Sequence, residues 1–243
     1  MFIIEIYNEV LFRPILNLLV AVYNILPWPD LGIAIIIVTI IVRFLLFPLA
    51  QKSLKSQKSL QELQPKIEAI KKEHKDDKNL QNQKVMEFYK ENKINPFGSC
   101  LPLLLQLPII FALYKVFSVG TSAENLDQLY SFVARPEVIN TMFLGIVDLT
   151  QVNIYLAFLA GIFQFAQSKM IAPKTKKSNK KGSSMADMSS IFSKQMIYFM
   201  PVITVFIGMS LPAGLTLYWV VATLFAVGQQ YILTRKDKKE KNA

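Results

Sequence analysis

The sequence predicts an all-α polytopic membrane protein, with five transmembrane helices, an N-terminal interfacial helix and a cytoplasmic helical hairpin. The chain of 243 residues is 52% hydrophobic and only 18% charged, which is less charge than soluble domains carry. The apolar residues are also clustered, because residues 195–234 form a run of 40 residues without a charged side chain. As a helix that run would measure about 60 Å, twice the ~30 Å of a bilayer's hydrocarbon core. It therefore holds two spans and a turn.

Residues 1–30 are predicted to form an extracytoplasmic amphipathic segment. Apolar side chains recur at intervals of three and four between Phe12 and Leu26, with polar ones elsewhere, which is typical of a helix lying in a membrane interface. A full span interrupted at Arg13 is the alternative. Acidic residues lie near the start, where a signal peptide would be basic, so no signal peptide is expected.

The five predicted spans follow from the long apolar runs. They cover residues 31–51, 97–117, 150–168, 195–211 and 214–234. Pro212 and Gly214 make a tight turn between the last two.

The charges of the connections predict the orientation of these spans. Residues 1–30 and 118–149 carry net charges of −2 and −3, whereas residues 52–96, 169–194 and 235–243 carry +4, +6 and +3. Basic connections stay on the cytoplasmic side. The N-terminus is therefore predicted outside, with 118–149 as an extracytoplasmic connection, and the C-terminus in the cytoplasm.

The cytoplasmic segments differ in pattern. Residues 52–96 carry an apolar stripe at intervals of three and four, which predicts a helical hairpin; the stripe either holds the hairpin together or binds a partner. Residues 169–194 form a basic loop and 235–243 a basic tail. The loop is a topology signal, or it contacts anionic lipids or ribosomal RNA, since both attract polybasic segments.

Arg43 is the unusual residue, because a guanidinium in hydrocarbon costs from about 3 to more than 10 kcal/mol. No acidic residue lies inside the predicted spans to pair with it. Polar side chains at similar depth predict a wet cavity between helices, although each glutamine could instead join helices and Trp219 could face lipid. The candidate groove residues are Arg43, Gln106, Gln164, Gln167, Thr204, Tyr218 and Trp219.

The sequence contains no motif that is typical of an enzyme active site. The chain has one cysteine and one histidine, too few for the usual zinc or iron–sulfur cages. Phosphate-binding loops and hydrolase or metalloprotease motifs are absent from the sequence. We expect neither a cofactor nor a catalytic site.

Four separated motifs resemble the YidC membrane protein insertase family. They are "IIVRFLLFPL", "LQELQPKIEAIKKEHKDD", "NPFGSCLPLLLQLPIIFALY" and "LPAGLTLYWVVATLFAVGQQ". The resemblance implies a five-helix core with a groove open to cytoplasm and lipid and closed outside, with Arg43 facing the groove and Gln164, Tyr218 and Trp219 at its mouth. It also implies that the hairpin is flexible and needed for function. The chain would be a minimal form, without a large extracytoplasmic domain or a long ribosome-binding tail.

The expected function is insertion or chaperoning of nascent membrane proteins in a bacterial plasma (inner) membrane, through a cytoplasm-open groove that releases segments sideways into lipid. The ribosome, the general secretion translocon and anionic lipids are further candidate partners, and DNA is not. The alternative function is a small anion transporter or channel with Arg43 in the solute site.

Overall fold

The fold is described by a computed structural model for residues 2–92, 101–119, 126–171 and 185–241. Parts of the predicted hairpin, second span, extracytoplasmic connection and basic loop fall outside these described residues. The elements are α1 (Phe2–Tyr7), a π-helical segment (Asn8–Phe12), α2 (Arg13–Ile25), α3 (Leu31–Leu45), α4 (Phe47–Glu73), α5 (Lys78–Glu91), α6 (Leu101–Val119), β1 (Met142–Phe143), β2 (Val147–Asp148), α7 (Ile154–Ile171), α8 (Met185–Gly208) and α9 (Ala213–Lys241).

The N-terminal helix is longer than the sequence predicts, because it begins at Phe2 rather than Phe12. The wider π-helical turn ends just before Arg13 and Pro14. Pro14 cannot donate a backbone hydrogen bond, and a change of helical repeat at this point lets the chain continue without that donor. The stretch Glu5–Ile25 is apolar and long enough to cross a membrane.

The polar side of α2 contacts protein, and the predicted position of this helix in a membrane interface stays a prediction. Asn17 is buried, accepts a hydrogen bond from the Tyr130 backbone N–H at 2.6 Å and donates to the Gln128 carbonyl at 3.3 Å. Asn24 donates to the Ala134 carbonyl at 2.7 Å. Buried polar groups need such partners, so α2 is latched to the connection that follows α6.

The first predicted span is bent. Helix α3 ends at Leu45, and its axis makes an angle of 66° with the first part of α4. Pro48 lies in the first turn of α4, where it cannot donate to the carbonyl one turn earlier. Arg43 consequently lies in the last turn of α3 and not in the middle of a straight helix.

Two helical stretches among the described residues are long and apolar enough to cross a membrane, Glu5–Ile25 and Ala213–Arg235. The bent pair Leu31–Leu45 and Phe47–Leu60 would be a third, whereas Gln106–Val116 and Ile197–Gly208 are shorter apolar helices. The chain is therefore a mostly helical protein with two or three candidate spans, and the count of five stays a prediction.

Helices α4 and α5 form the charged segment after α3. They contact each other across a short connection that Asp77 caps, accepting hydrogen bonds from the backbone N–H groups of Asn79 and Leu80. Ile67 and Val85 are their buried apolar residues. Pro65 lies inside α4.

Small residues bring α7 and α8 close together. A Cβ atom on Gly208 would lie 3.0 Å from the Ala157 Cβ, and one on Gly161 would lie 2.4 Å from a methyl group of Val205. Ala157 and Gly161 are four residues apart, the small-xxx-small spacing of helices that pack tightly in membranes. Helix α9 packs on both α7 and α3.

A two-stranded hairpin covers the start of α3. Strands β1 and β2 pair antiparallel, and the Asp30 carboxylate joins hairpin to helix, accepting from the Ile33 N–H at 3.0 Å and the Leu144 N–H at 2.7 Å. Beyond β2, backbone and side-chain hydrogen bonds from Thr150 hold the pKa of the Asp148 carboxyl below its usual value.

We expect the substitution Gly32→Ala to destabilise the fold. An added Cβ would lie 2.1 Å from Cδ2 and 2.8 Å from Cβ of Phe143, so rotation of the ring cannot relieve the clash and β1 must move. Overpacking of this kind costs about 1–3 kcal/mol, whereas helix propensity alone would favour alanine by about 1 kcal/mol. Thermal unfolding in detergent shows whether Gly32→Ala raises or lowers the stability of the protein. The double variant with Phe143→Ala should lose less than the sum of the single losses, and a Gly32→Ala protein as stable as wild type would contradict the clash.

Candidate functional site

Three of the candidate residues meet in one hydrogen-bonded cluster. Arg43 lies in the last turn of α3, Gln106 in the first third of α6 and Tyr218 in the second turn of α9. The Arg43 guanidinium donates to the Gln106 side-chain oxygen at 3.1 Å, and the Gln106 side-chain nitrogen donates to the Tyr218 hydroxyl oxygen. We call these three residues the Arg43 cluster.

The positive charge of Arg43 is not balanced by a negative charge in the Arg43 cluster. Tyr218 is buried, and Arg43 and Gln106 are half-buried. Among the described residues no carboxylate lies within salt-bridge distance of Arg43, so the partners of its guanidinium are the neutral Gln106 and Tyr218. A cation held by neutral acceptors, where the dielectric constant is low, keeps a positive potential that an anion can feel.

Apolar side chains pack on the side of the cluster that faces the turn between α2 and α3. A small cavity there has about 10 Å³ of space for the centre of a water-sized sphere, close to the minimum that one water needs. Its lining is apolar except for Thr39 and Tyr218, and the residues are Ile15, Leu19, Ile35, Val38, Thr39, Val42, Ile109, Leu113 and Tyr218. On this side of the Arg43 cluster, the described residues that line the cavity are therefore mostly apolar.

The other four candidate residues stay outside the cluster. Gln164 and Gln167 lie half-buried on α7, and Trp219 is half-buried on α9. Thr204 is buried in α8 at 1% exposure. No hydrogen bond joins any of them to the Arg43 cluster within the described part of the chain, so their role in a groove stays a prediction.

Gln229 is a polar residue that the sequence analysis missed. It is buried, and its side-chain nitrogen donates to the Phe47 carbonyl at 3.3 Å. Phe225, one turn earlier on α9, meets Phe44 edge-to-face at a ring distance of 5.1 Å. The part of α9 around Phe225 and Gln229 therefore packs against the bend between α3 and α4. The signal was present in the sequence, since Gln229 and Gln230 are polar residues inside the apolar run of residues 214–234.

We expect Tyr218→Phe to destabilise the protein by about 1 kcal/mol, because it removes the hydroxyl that accepts the Gln106 hydrogen bond and leaves the ring in place. Tyr198→Phe is the matched control, since Tyr198 is 65% exposed and its hydroxyl makes no hydrogen bond in the described structure. Thermal unfolding of both variants in detergent is the measurement. Equal stability of the two variants would contradict a structural role for the Tyr218 hydroxyl.

The fold and this cluster define a class: a helical, polytopic membrane protein with an unneutralised arginine between its helices. Comparison with known proteins gives the family. The family model for the 60Kd inner membrane protein matches residues 22–241. The chain is 37% identical over 207 residues to the membrane protein insertase YidC of Fusobacterium nucleatum, covering 85% of this chain and 87% of that protein. This chain belongs to the YidC membrane protein insertase family.

Two further relatives are also named membrane protein insertase YidC. The insertase YidC of Clostridium tetani is 38% identical over 212 residues, which cover 87% of this chain and 84% of that protein. The one of Magnetococcus marinus is 34% identical over 211 residues, which cover 86% of this chain but only 33% of that longer protein. The relatives are named as insertases and not as catalysts, and they are bacterial.

Proposed function

We propose that this protein is a membrane protein insertase that receives segments of nascent membrane proteins at the Arg43 cluster and releases them into the bilayer. The names of the relatives support an insertase over a small anion transporter. The observation that carries the site assignment is the cation of Arg43, held at an apolar helix end by neutral partners only.

The physical need for such a site comes from the substrate. A hydrated segment that crosses ~30 Å of hydrocarbon must give up water from its amides and charges, which is slow. A polar cleft that reaches part of the way replaces some of that water. Arg43 attracts acidic residues of the segment, and burial of the following apolar segment releases about 25 cal/mol per Å². Gln164, Gln167, Thr204 and Trp219 are proposed to line the cleft around the cluster.

Five spans with the N-terminus outside and the C-terminus in the cytoplasm complete the proposal. Net charges of +4, +6 and +3 on residues 52–96, 169–194 and 235–243 support the orientation. The hydrogen bond from Gln229 to the Phe47 carbonyl supports this orientation. It joins the residues that precede two of the basic segments, 52–96 and 235–243, so both segments begin at the same end of the molecule. Helices α4 and α5 are then a cytoplasmic hairpin, open to the ribosome, the secretion translocon and anionic lipids.

The test is protease protection in liposomes that contain only this purified protein. The substrate is a single-span protein with a short acidic tail, added during its synthesis, and protected tail indicates translocation. Matched controls are empty liposomes and liposomes with an unrelated polytopic protein. Protection above both controls is the expected result, and protection equal to either control would overturn the proposed function.

A further inference from the structure

One end of the molecule exposes large apolar side chains outside any predicted span. Trp28 and Ile146 are 83% and 79% exposed, although both belong to connections that would normally be polar. We call the whole group the apolar rim. Its members are Ile25, Trp28, Phe132, Val138, Leu144 and Ile146.

The rim residues come from two connections that are tied together. The Asp30 carboxylate accepts the Leu144 backbone N–H at 2.7 Å, two residues after Trp28. Asn24 donates to the Ala134 carbonyl at 2.7 Å, and the Tyr23 hydroxyl accepts from the Asn140 N–H at 2.8 Å. These bonds hold the turn between α2 and α3 against the segment after α6. The rim is therefore a fixed surface.

The backbone at the hairpin tip argues that an apolar side chain is needed there. Leu144 and Gly145 have φ values of +52° and +69°, and the Ile146 N–H donates to the Phe143 carbonyl at 3.0 Å. Two central residues with positive φ are the signature of a type I′ turn, in which Asn-Gly is favoured. Leucine is strained in this conformation, and at 61% exposure it gains little protein packing in return. Burial of Leu144 against apolar surroundings outside the protein would offset this strain.

We propose that the apolar rim inserts into the headgroup–acyl boundary of the bilayer leaflet at its end of the molecule. Further apolar surface adjoins the rim along the chain: Ile25 ends a stretch long and apolar enough to span, and the exposed Tyr155, Phe158 and Ile162 follow the hairpin on α7. Tryptophan prefers this depth of a membrane.

The charges near the rim indicate apolar burial as the attraction. Arg135 is paired with Asp127, and Glu124, Glu137 and Asp148 are the other charged residues of the segment, so residues 118–149 carry −3 in all. A positive surface would seek anionic lipid, but this one has no excess of basic groups. The insertion should therefore be insensitive to salt and to the anionic lipid fraction.

Tryptophan fluorescence tests the proposal on the full chain in liposomes. The chain has two tryptophans, so Trp219→Phe leaves Trp28 as the reporter. If that variant does not fold, the difference between wild type and Trp28→Phe isolates the same signal. Trp28 emission is recorded with lipids brominated near the headgroup, with lipids brominated at the chain ends, and with acrylamide in the water.

Insertion predicts blue-shifted emission, strong quenching by lipids brominated near the headgroup, weaker quenching by those brominated at the chain ends, and little quenching by acrylamide. Red-shifted emission quenched mainly by acrylamide would mean that the rim is in water and would overturn the proposal. Emission shielded from both acrylamide and bromine would mean that protein, such as a second copy, covers the rim, and this also overturns it.

The hairpin tip supplies a second readout. Leu144→Asn suits the left-handed backbone and should leave the unfolding temperature unchanged or higher, yet it should reduce quenching of Trp28 by brominated lipid. Leu144→Met keeps an apolar side chain under the same strain and is the matched control, with no loss of quenching. Equal quenching in both variants would contradict a membrane role for Leu144.

Discussion

Arg43→Ala should reduce insertion of a substrate with an acidic translocated tail by about tenfold or more, and that of a neutral tail much less. The attraction between unit charges 4 Å apart is about 4 kcal/mol at an effective dielectric constant near 20, and each 1.4 kcal/mol corresponds to a factor of ten. Arg43→Lys keeps the charge but loses the planar donor set, so its loss should be smaller. The measurement is the rate of protease protection in liposomes for the two tails.

Gln106→Glu is the control that separates charge from structure. It retains the size and hydrogen-bonding reach of Gln106, whose side-chain oxygen lies 3.1 Å from the guanidinium, but it supplies a carboxylate that neutralises Arg43. The protein should remain folded, with an unfolding temperature equal to or above that of wild type, while insertion of the acidic tail falls towards the level of Arg43→Ala. Full insertion by this variant would mean that the free charge of Arg43 is not used.

Asn17→Leu should destabilise the contact between α2 and the connection after α6, which we call the latch, and its effect should exceed that of Asn24→Leu. Asn17 is 3% exposed and bonds the Tyr130 N–H, the Gln128 carbonyl and the Arg13 carbonyl. Leucine has a similar size but leaves the Tyr130 N–H without its partner, and one such buried group costs about 1–3 kcal/mol. Thermal unfolding and protease cleavage within residues 126–141 measure the loss.

Asn24→Leu provides the graded comparison, because Asn24 makes one hydrogen bond to the Ala134 carbonyl and is exposed to solvent. Its loss should be small, since the freed carbonyl can bond water. Similar losses for the two variants would show that the asparagines of α2 act through helix propensity and not through the latch.

Arg43 shows how far a sequence can locate a candidate functional site. A permanent charge inside an apolar run is so costly that the run itself singles out the residue. Gln106 was predicted as a candidate residue for a similar reason, because it is a polar side chain inside an apolar run. Their mutual contact was not predictable, because it depends on how α3, α6 and α9 rotate and tilt against one another, which apolar composition leaves undetermined.

Helix α2 shows what a pattern leaves open. Its periodicity predicts a helix in a membrane interface, and that position stays a prediction. The structure adds that Ile15, Leu19 and Val20 pack in the protein core, while Asn17 bonds backbone groups of the connection after α6. Periodicity reports that two sides differ, and it does not say which neighbour each side has. Asn17 meets backbone groups of a segment more than a hundred positions away, and only the folded chain brings them together.

The sequence by itself determined the class of the protein, its helical character and the presence of a cation, Arg43, inside an apolar run, because transfer of apolar and charged groups between water and lipid is a property of each side chain. The tertiary structure decided which partners that cation has, where α3 bends, and which polar residues lie in contact with protein. Those outcomes depend on packing: on Pro48 at the bend, on Gly32 beneath Phe143, and on Gln229 against the Phe47 carbonyl. Such contacts join residues far apart in the chain, and no local pattern specifies them.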